Sequence, residues 1–222
     1  MVKYDDFIKI ENMREIYNKI KVNTHHKKKL VHFELAFTSN IISIYEALKS
    51  IKYRHGLYNL FLIKEPKYRV IMSENMNDKI VNHLVSFYVL IPCLERKLIE
   101  TNVATRKGKE TKYGINVMKK YLNKIKINYD NVYVLKCDIS KYFYNINHRI
   151  LLSMVRKDIG DDDIFFLIKE IVESTDKQRV NEKIEKLINN EIQNVLKSNV
   201  SNKEDLIGEL KRIPYYDYCR EI

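Results

Sequence analysis

Asp138 ends a stretch, NVYVLKCD, whose apolar run Val132 to Leu135 leads through Lys136 and Cys137 to a single carboxylate. A run rich in Val and Tyr, bounded by Asp130 and Asn131 before and a polar turn after, predicts a buried strand. Its carboxylate then stands at the strand's carboxyl end, followed by Tyr142, Phe143 and Tyr144. An acid there can hold a magnesium ion, the backbone carbonyl of Ile139 can join it, and an aromatic ring can floor a sugar pocket. That is the combination nucleotide polymerisation needs. Asp at the end of an apolar strand also commonly begins a turn or caps a helix, so the residues upstream decide between these uses.

Two groups of cations lie upstream. In residues 57–75, LYNLFLIKEPKYRVIMSEN, two β-rich runs flank Glu65-Pro66-Lys67, and the proline is placed to begin a turn. The expected hairpin brings Lys64 and Arg69 out together at its turn end, where they can grip a triphosphate, Arg as a planar fork and Lys as a point charge. An exposed hairpin tip with ordinary charges is the plainer alternative. In residues 103–112, Arg106, Lys107 and Lys109 surround Gly108. A glycine amid cations opens backbone N–H groups to a phosphate. A helix with Gly114, Val117, Met118, Tyr121, Leu122 and Ile125 on one face is expected to support that loop.

These groups sit in a chain of 222 residues with 45% hydrophobic content, enough to bury a core, and with only 5 glycines and 3 prolines. A helix-rich fold with few tight turns is expected, and an all-β architecture is not. The balance of 40 basic to 29 acidic residues, net +11, favours a polyanionic partner. Cys93, Cys137 and Cys219 show no paired spacing, so neither a zinc site nor a disulfide framework is expected, which fits a cytoplasmic protein. The N-terminus lacks a signal-peptide core, and no window approaches the roughly twenty apolar residues of a membrane span.

The remaining elements follow from periodicity. Residues 1–26 read as short helical pieces, the isoleucines being loosely spaced. After Lys27-Lys28-Lys29, Ile41, Ile44, Tyr45 and Leu48 predict a helix on a core. Asn75 and Asn77 are candidate caps for a buried helix from Ile80 to Ile91 that Pro92 closes, with Asp78 suiting the helix dipole. Asp161, Asp162 and Asp163 cap a further helix with an Ile164, Phe165, Leu167, Ile168, Ile171, Val172 stripe. Val180, Ile184, Leu187, Ile188, Ile192, Val195 and Leu196 form another amphipathic helix, with a short one around Leu206 to Leu210. His148 reads as a capping or packing residue, and the His25-His26 pair shows no ligand spacing.

In order, the segments IKEPKYRVI, NDKIVNHLV, ATRKGKETKYGI and KCDISKYFYNINHRIL, spread from about Leu57 to about Ser174, resemble the fingers and upper palm of bacterial reverse transcriptases of the retron and group II intron kind. The resemblance implies an α+β fold, the helix-rich fingers and partial palm of a right-hand polymerase. It would have a fingers β-hairpin, one buried palm strand and a C-terminal helical extension. Residues 1–130 would be N-terminal helices and fingers, 131–174 the partial palm, and 175–222 a helical insertion with a truncated C-terminus. Asp138 would be the first metal-binding and catalytic aspartate, with the Ile139 carbonyl beside it. Phe143 would exclude a ribose 2′-hydroxyl, Lys64 and Arg69 would bind the nucleotide's phosphates, and Arg106, Lys107 and Lys109 the template. Gly114 stands where the family often has alanine. The implied partners are an RNA template, a DNA primer and deoxynucleoside triphosphates, with Mg2+ as cofactor.

The family's reaction uses two ions to clamp the attacking and leaving oxygens, which takes more than one carboxylate. Neither the family's glycine-rich loop nor its aromatic-x-Asp-Asp hairpin is found after Asp138. Asp161-Asp162-Asp163 follows too soon and leads into a helix, and Asp5-Asp6 precedes everything. The expectation is therefore the N-terminal portion of an RNA-directed DNA polymerase, inactive alone and active only where a second polypeptide supplies the rest of the palm. The alternatives are an RNA-binding remnant using the basic fingers surface and, as a third reading, a helical interaction protein.

Overall fold

The computed structural model describes residues 2–24, 27–129, 131–140, 142–175 and 178–213. His25, His26, Cys219 and the tail from residue 214 lie outside the described residues, as does the Tyr144 side chain. The fold is mostly helical with one two-stranded antiparallel hairpin, a broadly α+β arrangement. Among the described residues no helix is long and apolar enough to cross a membrane.

The chain opens with helices α1 (Tyr4–Phe7), α2 (Ile10–Val22), α3 (Lys27–Leu35) and α4 (Phe37–Lys49). A longer helix than expected forms at α2, because Met13 and Tyr17 join Ile16 and Ile20 to complete the helical repeat, and all four are buried. In α4 the expected Ile41, Ile44 and Leu48 are buried.

After the hairpin, β1 (Asn59–Ile63) and β2 (Arg69–Ser73), comes α5 (Met76–Val85). Pro92 does not stop this helix. A π turn at Ser86–Leu90 carries it into α6 (Ile91–Leu94). Proline lacks an N–H and crowds the carbonyl four residues back, and a wider turn just before it relieves both. Helix α7 (Thr111–Asn128) precedes the stretch that carries Asp138, and α8 (His148–Arg156) and α9 (Asp162–Val172) follow it. The caps are Asn147, which accepts from the Ile150 N–H, and Asp161, which accepts from the Asp163 and Ile164 N–H groups. The acidic triplet at 161–163 is thus a helix start, as its position before an apolar stripe implies.

The buried residues form two cores. The larger draws on α1 to α5, α8 and α9, from Phe7, Met13 and Leu48 to Leu84 and Leu167. The smaller joins the hairpin to α10 (Gln178–Lys197) and α11 (Lys203–Lys211), with Ile184, Ile188 and Leu210 against Leu60, Leu62, Val70 and Met72. Thus α8 and α9 share a core with the N-terminal helices, and the C-terminal helices share one with the hairpin.

The expected buried strand at 132–135 does not form. Residues 131–139 carry no regular secondary structure and are exposed, Tyr133 at 92% and Leu135 at 88%. A strand apolar on both faces needs ladder partners and cover on both sides. The described strands β1 and β2 pair only with each other, so this segment has neither.

Candidate functional site

The hairpin places the first two candidate residues. Ile63 pairs with Arg69, and Leu62 with Val70, so strand alternation puts Leu60, Leu62, Val70 and Met72 on the face that meets α10. Arg69 is exposed on the opposite face, and among the described residues it forms no ion pair. Lys64 follows the parity of Leu62. Its Nζ lies 2.7 Å from Glu191 Oε1 on α10, and the Tyr68 hydroxyl donates to the same oxygen at 3.4 Å. Lys64 and Arg69 therefore share the turn end of the hairpin but not a face. Glu191 is buried, while the Lys64 side chain is 61% exposed. Its bond to Glu191 raises the Lys64 pKa.

The second group is a tight turn. The Lys109 N–H donates to the Arg106 carbonyl at 3.1 Å, and Gly108 holds φ at 76°, where a side chain would strain the backbone. The Arg106 guanidinium faces inward. Its Nη1 donates to the Ile99 carbonyl at 3.1 Å and to the Asn102 carbonyl at 3.3 Å, and Nε lies 3.8 Å from Glu95. Arg106 thus braces the loop from within. Lys109 donates to the Glu100 carbonyl at 3.1 Å and sits over the Tyr113 ring, while Lys107 is exposed. Gly114 packs directly on Val103, whose Cγ2 would lie 3.0 Å from an added Cβ, so α7 carries the loop as its apolar face implies.

Asp138 and Ile139 lie in the exposed stretch, and Phe143, 78% exposed, stands in a 3-10 turn at Tyr142–Asn145 edge-on to Tyr142. Val134, in the same exposed stretch, and the α7 residues Val117, Met118, Tyr121 and Leu122 line a shallow apolar pocket of about 320 Å³. Among the described residues no three His, Cys, Asp or Glu side chains gather to hold a metal. One carboxylate and one carbonyl can contribute to a single magnesium shell but do not make a two-ion site. Among the described residues no hydrogen bond or ion pair joins Asp138, the hairpin cations and the Arg106 turn.

A buried polar cluster between the hairpin and α9 was missed by sequence reasoning. Asp78, read as a dipole partner, is buried. It accepts from the Tyr53 hydroxyl at 2.7 Å, the Gly56 N–H at 3.0 Å and Asn75 Nδ2 at 2.6 Å, while its own N–H donates to Asn75 Oδ1. Burial, followed by this bond to Asp78, pushes the Tyr53 phenol far above the ordinary tyrosine range. His55 Nδ1 lies 2.9 Å from the Gly56 carbonyl, which can only accept, so the ring carries its proton on Nδ1. Tyr58 stacks on His55 and bonds Ser174 at 2.6 Å, and the His55 N–H donates to Glu170. The legible signal was Asn75 three residues before Asp78, a reciprocal cap pattern. Nothing local marked Tyr53 and Gly56 as its partners.

No protein-family model matches the chain, and no curated protein matches it.

Proposed function

We propose that this chain is the N-terminal portion of an RNA-directed DNA polymerase, its fingers and part of its palm. The observation that carries the reading is the order of the elements. A hairpin bearing Lys64 and Arg69 at its turn end is followed by a capped helix, a basic turn built on α7, and an exposed stretch that ends in Asp138 and runs on to Phe143. In this reading Arg69 and Lys64 hold the triphosphate of an incoming deoxynucleotide, Lys107 and Lys109 meet the template backbone, and Phe143 sets the sugar pocket. Asp138 supplies one of several carboxylates that the metal-dependent reaction requires. A single carboxylate does not make a two-ion site, so in this reading carboxylates from outside these residues complete it.

The test is primer extension on an RNA template with magnesium and deoxynucleotides, using this chain alone and mixed with a polypeptide that carries a glycine-rich loop and an Asp-Asp hairpin. Extension only in the mixture, abolished by Asp138→Ala, supports the reading. Extension in the mixture that survives Asp138→Ala removes Asp138 from the site.

A second reading, RNA binding without catalysis, is favoured by α7 itself. It carries Lys112, Lys119, Lys120, Lys124 and Lys126 and no acid between Thr111 and Asn128. Phosphate contacts of that kind give an affinity that falls steeply with salt. Tight RNA binding with no extension in any mixture selects it.

A further inference from the structure

The smaller core presses α10 and α11 against one face of the hairpin, and that packing sets a carboxylate on a cation of the candidate phosphate site. Glu191 is buried on α10, one turn beyond Ile188, and the side chains of Lys64, Tyr68 and Asn194 all converge on it. Lys64 is the exposed partner of the pair, on a flexible stem, so it is the member free to move. Arg69, on the hairpin's other face, has no such tether among the described residues.

We propose that Glu191 is a built-in competitor for the hairpin's phosphate site: it holds Lys64 against α10, and a triphosphate binds fully only when Lys64 leaves Glu191 and swings to join Arg69. The proposal rests on the reading of the hairpin as a phosphate grip. Lys64 sits just past the last residue of β1, outside the ladder from Asn59 to Ile63, so its movement breaks no strand pairing. The competition is between two oxyanions for one ammonium. The phosphate carries more charge and more acceptor oxygens, and Glu191 has proximity. Any event that draws α10 off the hairpin frees Lys64 and strengthens binding, so the C-terminal helices regulate a site to which they contribute no ligand.

The experiment measures binding of dATP, and separately of a single-stranded oligonucleotide, to the wild-type chain, Glu191→Gln, Lys64→Ala and the double variant. Glutamine keeps one of the two acceptor oxygens that Tyr68 and Asn194 use separately, and circular dichroism checks the fold. Should Glu191→Gln misfold, Glu191→Asp carries the test, since it keeps the charge and draws the carboxylate back from Lys64. The expected result is dATP binding about threefold to fivefold tighter in Glu191→Gln, the range an exposed ion pair can account for, with the gain abolished in the double variant. Tightening of the oligonucleotide alone upholds the competition and assigns the phosphate to a nucleic-acid backbone. Lys64→Ala weakening the wild type with no gain in Glu191→Gln overturns the competition and leaves the phosphate grip standing. Lys64→Ala without effect in both backgrounds overturns the grip itself and the competition with it.

Discussion

The Tyr53 hydroxyl donates to Asp78 Oδ1 across 2.7 Å, tying the segment that enters the hairpin to the first turn of α5. The same carboxylate takes the Gly56 N–H and Asn75 Nδ2, so one buried acid fixes where the hairpin leaves the larger core. Asp78→Ala leaves the buried Tyr53 hydroxyl without its acceptor and removes the bonds from Gly56 and Asn75, and should cost about 3 kcal/mol, whereas Tyr53→Phe removes one bond and should cost about 1 kcal/mol. Urea unfolding of both variants checks the order, and a Tyr53→Phe loss equal to that of Asp78→Ala contradicts the division.

Two glycines make opposite demands. An added Cβ at Gly56 would lie 2.6 Å from Asn75 Nδ2 and 2.8 Å from Asp78 Oδ2, so Gly56→Ala disrupts the cap of α5 and should cost about 1–3 kcal/mol. At Gly108 there is open space but φ is 76°, and alanine there should cost about 1–2 kcal/mol through the backbone alone. Helicity of the Gly108 variant should stay unchanged while its melting temperature drops.

Acid and alkali should destabilise the protein through different residues. Burial opposes ionisation of Glu191, but bonds from Lys64 and Asn194 and the Lys64 charge outweigh it and hold the carboxyl below the usual glutamate range. A lowered carboxyl stabilises the fold above its unfolded pKa, and that contribution fades as pH falls through the folded value. Glu191→Gln should therefore reduce the loss of melting temperature seen below about pH 4.

At the other limit, burial pushes Tyr17 and Tyr88 up to about 12, and Tyr53 higher still. The folded state retains phenolic protons that the unfolded chain releases from about pH 10, so stability falls as pH rises past that point. Melting curves between pH 8 and about pH 11 check this, and Tyr53→Phe should flatten the alkaline decline.

On the polymerase reading proposed above, Asp138 should separate stability from activity. It lies in an exposed stretch, so Asp138→Ala should change unfolding free energy by no more than about 0.5 kcal/mol. Extension by the complemented mixture should nevertheless disappear. Leu135→Lys, at 88% exposure, should also leave stability unchanged while lowering the tendency to aggregate.

Much of the framework was legible because it is local. The i, i+3, i+4, i+7 stripes of α4, α7, α9 and α10 announce helices, Glu65-Pro66-Lys67 announces the hairpin turn, and Asp161 before an apolar stripe announces a cap. Pro92 misled because the π turn that rescues it depends on neighbours that periodicity does not weigh.

By itself, then, the sequence determined most of the helices, the hairpin, the caps at Asn75 and Asp161 and the net charge of +11, since each depends on residues within a turn or two or on composition alone. Tertiary structure decided the rest. It paired Lys64 with Glu191, turned Arg106 onto its own loop, buried Asp78 beneath Tyr53 and left Val132 to Leu135 outside any sheet. Each outcome turns on which partner is near in space. A cation meets whichever carboxylate the packing brings to it, and an apolar run becomes a strand only when another backbone is there to accept its hydrogen bonds.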